Sequence, residues 1–375
     1  MIRKRLGLVK LKSQSLDGKI SEATGLQREQ FEKKLRNRQI PTLILFYADV
    51  GCNQHCLHCA TLPQANANLK AIERNIAIAL KLDYEVGLYV TEPTLKPQVM
   101  ELYNTLDNSM TITNGITAAS MLQDFKKAGL DALGISLHGP DPETHALLTG
   151  KPENFERVVD TIRKARKRFY IQIEMVVHRE NMYQLEEQLQ YVKKLGVQEL
   201  HLINLLKIGK AINLPEKMFL RPSDAAYVVE KVRKLKRKVK KPHISFAETW
   251  GPNFYSKGVY NWIIGQAYTN IIQSSRWCPA GKTFFTVIDK DVYPCPVCVL
   301  PELKIGRWDD EVGLQITKNF WKGELNDRLT GMCASSSCEY SYICQGGCRG
   351  MAYIHTQDFY GSPPFCLTKI IEQMD

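Results

Sequence analysis

No stretch of this sequence stays apolar for the roughly 20 residues that a bilayer crossing needs. The opening Met1-Ile2-Arg3-Lys4-Arg5 is basic, but neither the apolar region nor the cleavage site of a secretory leader follows it. No membrane is therefore expected as a partner, and the expected location is cytoplasmic. Acidic residues are short, with 39 Asp and Glu against 50 Lys and Arg and a formal charge of +11. Cysteine is missing from the whole middle of the chain, since none of the 11 lies between Cys59 and Cys278. Without a secretory leader such a cysteine count argues against a disulfide scaffold and for metal or redox use.

The basic excess by itself invites a nucleic-acid reading. Much of it is concentrated in Lys231-Val232-Arg233-Lys234-Leu235-Lys236-Arg237-Lys238-Val239-Lys240-Lys241. Val228, Val232, Leu235 and Val239 recur there at helical spacing, so the charges read as the solvated face of a helix. With no RNA-binding motif beside it, nucleic acid is not expected as a partner. The sharper use of the same face is docking an acidic electron donor, such as a ferredoxin or flavodoxin, or an acidic peptide.

At 375 residues, with 44% apolar and 24% charged, the chain suits one barrel plus one appendage. Residues 1–40 are polar, with a helix expected from about 27 to 35. From Thr42 onward, apolar β-rich runs alternate with amphipathic stretches, the pattern of a parallel sheet wrapped by helices. Strands are expected near 42–48, 86–91, 109–113, 132–138, 170–177 and 199–205. Leu69, Ile72, Ile76 and Leu80 mark one helix between them, and Val158, Val159 and Ile162 another. Between 242 and 277 stand Phe246, Trp250, Phe254, Tyr255, Tyr260, Trp262 and Tyr268, a density that suits packing between domains, a binding cleft, or both.

Directly after the first expected strand comes Gly51-Cys52-Asn53-Gln54-His55-Cys56-Leu57-His58-Cys59. Three thiolates spaced C-x3-C-x2-C suit three corners of an iron–sulfur cube, leaving the fourth iron open for a small molecule. Three unrelated buried or redox-sensing thiols are the plainer alternative. The motif resembles the signature of the radical S-adenosylmethionine (radical SAM) superfamily, with His58 where that family usually carries an aromatic. The resemblance implies that Cys52, Cys56 and Cys59 hold a [4Fe-4S] cluster whose open iron chelates S-adenosylmethionine. It further implies reductive cleavage to a 5'-deoxyadenosyl radical that takes a hydrogen atom from the substrate.

Other segments extend the resemblance, with departures. Val90-Thr91-Glu92-Pro93-Thr94 stands where the family has Gly-Gly-Glu-Pro, which contacts the cofactor's amino group, so Thr91 and Glu92 are implied cofactor contacts although the glycine pair is gone. Thr113-Asn114-Gly115 resembles the third-strand turn, adding Asn114, although Asn-Gly alone is simply a good turn. In Ser136-Leu137-His138-Gly139-Pro140, Ser136 matches a serine that contacts the cofactor, and His138 replaces an aspartate. A lone histidine there is as readily structural as functional. His145-Ala146-Leu147-Leu148-Thr149-Gly150 lacks the arginine that often holds the cofactor carboxylate, which leaves that task to another cation or a backbone amide. Leu206-Lys207-Ile208-Gly209-Lys210-Ala211 resembles a Gly-Arg-Ala turn after the sixth strand.

The remaining eight cysteines run Cys278, Cys295, Cys298, Cys333, Cys338, Cys344, Cys348 and Cys366. Paired cysteines alone would suit a zinc ribbon. The x5 and x3 spacings, and Gly346-Gly347 before Cys348, resemble the SPASM extension of radical SAM enzymes. Lys290 stands where that pattern has glycine, and Cys333 and Cys338 are spaced x4 instead of x2. The resemblance implies two auxiliary [4Fe-4S] clusters, the first held by Cys278, Cys295 and Cys348 and the second by Cys333, Cys338, Cys344 and Cys366. Cys298 is then the cysteine left to complete the first. As a free thiol near the barrel mouth it would instead be a hydrogen-atom donor in a redox-neutral epimerisation.

The implied architecture is α/β, a partial (β/α)6 TIM-like barrel over residues 41–241 preceded by an extension over 1–40. A connecting segment over 242–277 and the auxiliary-cluster domain over 278–375 complete it. The implied function is oxidative maturation of a peptide or protein side chain, by crosslinking or dehydrogenation. The N-terminal region is too short for the peptide-binding domain many such enzymes carry, so a separate presenting protein is implied. A small-molecule epimerase or dehydrogenase acting on a sugar or nucleotide is the second expectation, and a non-catalytic iron–sulfur carrier the third.

Overall fold

The computed structural model describes residues 42–60, 67–106, 110–247, 250, 278–319, 328–334 and 346–364. All six expected strands are present, as β1 (Leu43–Ala48), β2 (Glu85–Val90), β3 (Met110–Thr113), β4 (Ala132–Ser136), β5 (Tyr170–Val177) and β6 (Glu199–Asn204). A seventh, β7 (His243–Phe246), lies where a connecting segment was expected from 242, because only Ile244 and Phe246 of its four residues are apolar and no run registers. Two further hairpin-linked pairs follow, β8 (Phe284–Ile288) with β9 (Asp291–Tyr293), and β10 (Gly306–Asp309) with β11 (Gly313–Ile316).

The strands form two sheets. One has the order β11-β10-β9-β8-β1-β2 and the other β3-β4-β5-β6-β7, with every neighbour in the second parallel. β1 pairs in parallel with both β2 and β8, so the first sheet runs on across the expected boundary at 278. The parallel β/α units make this an α/β partial barrel, whose strand ends gather the loops on one face.

Helices cover the outer faces as α1 (Leu69–Lys81), α2 (Val99–Thr105), α3 (Leu122–Lys127), α4 (Pro142–Thr149), α5 (Phe155–Ala165), α6 (Leu185–Leu195) and α7 (Pro222–Lys238). α1 starts because Asn68 caps it, its side-chain oxygen accepting the Ala71 N–H at 3.1 Å. Ile72, Ile76 and Ala79 form its buried stripe, whereas Leu80, expected in that stripe, is 46% exposed. Val158, Val159 and Ile162 of α5 are buried as expected. α7 buries Val228, Val232 and Leu235 and turns most of its charges outward, with Lys231 paired to Glu186 at 2.6 Å. Lys236 is half-buried and close enough to feel the Glu199 carboxylate. Phe246 and Trp250 pack ring to ring at 5.1 Å in the core, and the other aromatics of 251–277 lie outside the described residues, as does the helix expected at 27–35.

Register decides which residues line the barrel. In β3 to β7 one face carries Ile112, Gly134, Ser136, Gln172, Glu174, Glu199, His201 and Ser245, neighbours across the ladder. The opposite face carries Leu133, Ile135, Ile171, Ile173, Met175, Leu200, Leu202 and Ile244, all in the main apolar cluster beneath the helices. The outer face is thus a core, and the inner face is polar.

Candidate active site at the strand ends

The tri-cysteine loop leaves β1 and is held from three sides. The Gly51 N–H donates to Asp49 Oδ1 at 2.9 Å, with Gly51 at φ +82°, a conformation glycine adopts without strain. From the end of β2, the Thr91 hydroxyl lies 2.9 Å from the Gly51 carbonyl and 3.2 Å from Asp49 Oδ1, and accepts the Val50 N–H at 3.0 Å. Thr91 thus braces the loop from the position where a glycine was expected. From the end of α4, the Leu148 carbonyl accepts the Leu57 N–H at 2.8 Å and lies 3.4 Å from His58 Nδ1. After β6, the Lys210 N–H donates to the Cys59 carbonyl at 2.9 Å. Gly209 sits so close that an added Cβ would lie 2.4 Å from that same carbonyl.

Burial and the mutual repulsion of the three sulfurs push the Cys56 thiol up to about 12, and the Lys210 ammonium opposes this. Burial also raises Cys52, against a hydrogen bond from Asn114, whose Nδ2 lies 3.5 Å from Cys52 Sγ. Buried sulfurs such as Cys52 and Cys56, which resist ionising unaided, are ligands suited to a strongly positive partner, which supplies the compensation that water does not.

Glu92 is fully buried, and it ties the two sheets together. One carboxylate oxygen accepts from the Thr94 N–H (3.2 Å), the Thr94 hydroxyl (2.7 Å) and the Thr113 hydroxyl (2.8 Å), and the other from the Asn114 N–H (2.8 Å). Burial still holds its carboxyl above the usual range. Asn114 continues the chain of contacts, donating from Nδ2 to Asn53 Oδ1 at 2.7 Å. Glu92, Asn114 and the cysteine loop are therefore one connected unit. Ser136 ends β4, half-buried on the inner face, level with Glu174.

His138 belongs to a group of four histidines. Its ring meets His58 edge-on at 4.8 Å and stacks on His145 at 5.6 Å. Backbone N–H groups fix three of the rings, Val176 donating to His138 Nδ1 (3.2 Å), His138 to His145 Nδ1 (3.2 Å) and Glu180 to His178 Nδ1 (3.3 Å). An amide cannot accept, so each of these Nδ1 atoms carries no proton and each ring is the neutral Nε2–H form. Burial accordingly lowers His58, His145 and His178 to about 4, and it lowers His138 as well. The histidine that replaces aspartate at 138 thus gives a buried, uncharged wall behind the cysteine loop.

Sequence reasoning passed over the inner barrel. Tyr47 and Tyr89 stack at 5.1 Å on β1 and β2, and the Tyr89 hydroxyl is raised by burial and by Cys59, Cys52, Glu174 and Glu92, which places it among them. Gln172 Nε2 donates to Glu174, and His201 Nδ1 lies 2.7 Å from the Ser245 hydroxyl. The signal was there, since Gln172 and Glu174 sit two apart in an otherwise apolar strand and must share a face.

The second group of cysteines lies beyond β8. Cys278 precedes it, Cys295 follows β9, and Cys298 ends a single turn, its N–H donating to the Cys295 carbonyl at 3.0 Å. Cys348 stands at the N-cap of α8 (Arg349–Thr356). Helix and turn meet because residue 350 is glycine, where an added Cβ would lie 2.7 Å from Val297 and 3.3 Å from Cys298 Sγ. Cys278, Cys295 and Cys298 share an apolar cluster with Cys333, and Cys298 is only 1% exposed. Burial and the neighbouring Cys278 and Cys295 push the Cys348 thiol up to about 12, and Cys298 is raised by its hydrogen bond to Cys295, by burial and by the other three sulfurs. Cys278, Cys295, Cys298 and Cys348 are thus within electrostatic reach of one another. Cys338, Cys344 and Cys366 lie outside the described residues. Among the described residues no group of three or more His, Cys, Asp or Glu is close enough to hold a single metal ion.

Residues 49–192 match the family model of the Radical SAM superfamily. This stretch is a radical SAM domain. The chain is 25% identical over 352 residues to an AdoMet-dependent heme synthase of Methanosarcina barkeri, covering 87% of this chain and 96% of that protein. It is 28% identical over 207 residues to a probable GTP 3',8-cyclase of Saccharolobus islandicus, covering 51% of this chain and 65% of that protein. Among solved structures, anSMEcpe with bound AdoMet superposes with a TM-score of 0.64 at 18% identity, covering 88% of this chain and 95% of that one. Streptococcus suis SuiB bound to the precursor peptide SuiA gives 0.60 at 17% identity, covering 90% and 79%. These likenesses establish the fold of the radical SAM domain and its surroundings. Among the described residues no helix is long and apolar enough to cross a membrane.

Proposed function

We propose that the chain is a radical SAM enzyme that oxidatively modifies a peptide or protein side chain, with Cys52, Cys56 and Cys59 holding the cluster that binds S-adenosylmethionine. When bound, that cluster and cofactor supply a 5'-deoxyadenosyl radical able to take a hydrogen atom from the substrate. Thr91 and Asn114 position the loop, Glu92 holds its fold, and Ser136 with His58 faces the cofactor. The absent arginine after α4 is replaced by Lys210, an exposed cation beside Cys56 that suits the cofactor carboxylate.

The observation that carries the oxidative reading is the gathering of Cys278, Cys295, Cys298 and Cys348. Three buried thiols and a half-buried fourth, within electrostatic reach of one another, fit an auxiliary cluster with every iron ligated. Such a cluster has no open iron for a substrate, which leaves it electron transfer. On this reading Cys298 is a ligand and not a hydrogen-atom donor, and residues 278–375 form the auxiliary-cluster domain, with Cys333, Cys338, Cys344 and Cys366 as a second ligand set. Electrons come from an acidic donor of the ferredoxin or flavodoxin kind docking on the basic face of α7, and a separate protein presents the peptide. SuiB and anSMEcpe, whose solved structures include bound peptides, support the substrate class.

A second reading, a small-molecule substrate, draws on the near-full-length match to the heme synthase. Reduced, reconstituted protein should form 5'-deoxyadenosine faster when mixed with an unstructured peptide library, and peptides should lose two hydrogens in mass. Stimulation by GTP or an iron porphyrin with no peptide effect would replace the first reading with the second.

A further inference from the structure

Arg349 is fully buried, yet among the described residues no carboxylate pairs with it. Its Nη1 donates to the carbonyls of Phe359 and Gly361, both at 2.9 Å, its Nε to that of Gly347 at 3.4 Å, and its Nη2 to that of Gly346. Among the described residues every partner is a neutral backbone oxygen. The glycine pair exists for this contact, since Gly346 and Gly347 both have positive φ and a Cβ on Gly346 would lie 2.4 Å from Nη2. Carbonyls solvate a guanidinium but do not neutralise it, and a buried unpaired charge is costly. Its position adds to that cost, because Arg349 opens α8, where the helix dipole favours an anion.

The missing negative charge is next door. Cys348 is the preceding residue, and the Arg349 charge acts on both Cys278 and Cys348. The amides of the same first turn point the same way, the Arg349 N–H bonding to Cys278 sulfur and the Met351 N–H to Cys348 sulfur. A cube held by four thiolates carries roughly −2, the compensation that this pocket lacks. The residues therefore fit the auxiliary cluster in charge as well as in ligand number.

We propose that Arg349 is the built-in counter-charge of the auxiliary cluster held by Cys278, Cys295, Cys298 and Cys348, and that it sets the potential at which that cluster accepts an electron. This rests on the cluster assignment above. A fixed positive charge and hydrogen bonds at the sulfurs favour the reduced, more negative state, so Arg349 raises the potential.

The test is a redox titration of reconstituted full-length protein followed by EPR, comparing wild type, Arg349→Met and Arg349→Lys. Arg349→Met should lower one cluster's midpoint by at least tenfold in the reduction equilibrium, about 59 mV for a one-electron couple. The cluster that responds to S-adenosylmethionine should not move, and Arg349→Lys, which keeps the charge, should recover most of the shift. Unchanged midpoints in Arg349→Met, or an equal shift in both variants, would overturn the proposal and leave Arg349 a loop clamp. If Arg349→Met does not retain iron, Arg349→Lys decides alone, since retained iron with a small shift supports the counter-charge and loss of iron refutes it. The underlying assignment fails separately, by wild-type and Cys298→Ala proteins binding the same amount of iron.

Discussion

Under the proposed function, a single lysine takes over what the sequence lacks near Thr149. Lys210 is carried to the cysteine loop by its own backbone, whose N–H is bonded to the Cys59 carbonyl, and by Gly209, whose missing side chain permits the contact. Its exposure limits its worth to about 1 kcal/mol, the scale of a solvent-exposed ion pair. Lys210→Met should therefore weaken S-adenosylmethionine binding by about fivefold, read from the cofactor-induced change in the cluster's EPR spectrum. Unaltered binding would return the carboxylate to a backbone amide. Thr91 teaches the same lesson, since a residue that breaks the expected glycine pair proves to brace the loop with its hydroxyl.

Among the elements, the ends of β4 and β5 with α4 and the residues after β5 enclose the histidine group. Folding takes His145 and His178 from 6.5 down to about 4. Between those values the unfolded chain binds more protons than the folded one, so their contribution to stability is complete above pH 6.5 and lost as pH falls towards 4. Each contributes up to about 3 kcal/mol to that slope. Urea midpoints should fall across this window, and His145→Asn should flatten the fall. A slope unchanged in His145→Asn would mean that the ring is not held neutral by the His138 N–H.

At the scale of the whole molecule, the barrel was legible because parallel strands buried on both sides read as apolar runs, and six of them stood out. β7 did not, since polar His243 and Ser245 alternate with its two apolar residues. The cysteine groups were legible through spacing, although only the fold shows why Gly346, Gly347 and Gly350 accompany Cys348. Gly346 makes room for a guanidinium, Gly347 takes a positive φ beside it, and Gly350 lets α8 meet the Cys298 turn. The inner face was the least legible part. Glu174 and His201 come together only through the register of β5 on β6, and Tyr89 reaches Glu174 from the other sheet, which no local pattern encodes. Arg349 was equally hidden, because one arginine among 50 basic residues gives no sign of being buried.

All of this depends on the three sulfurs after β1 supporting radical chemistry. The direct measurement is anaerobic incubation of reconstituted, dithionite-reduced protein with S-adenosylmethionine, and quantification of 5'-deoxyadenosine. Wild-type protein should form it and Cys56→Ala should not. Its absence from wild type under every substrate condition, or equal amounts from both proteins, would contradict the account.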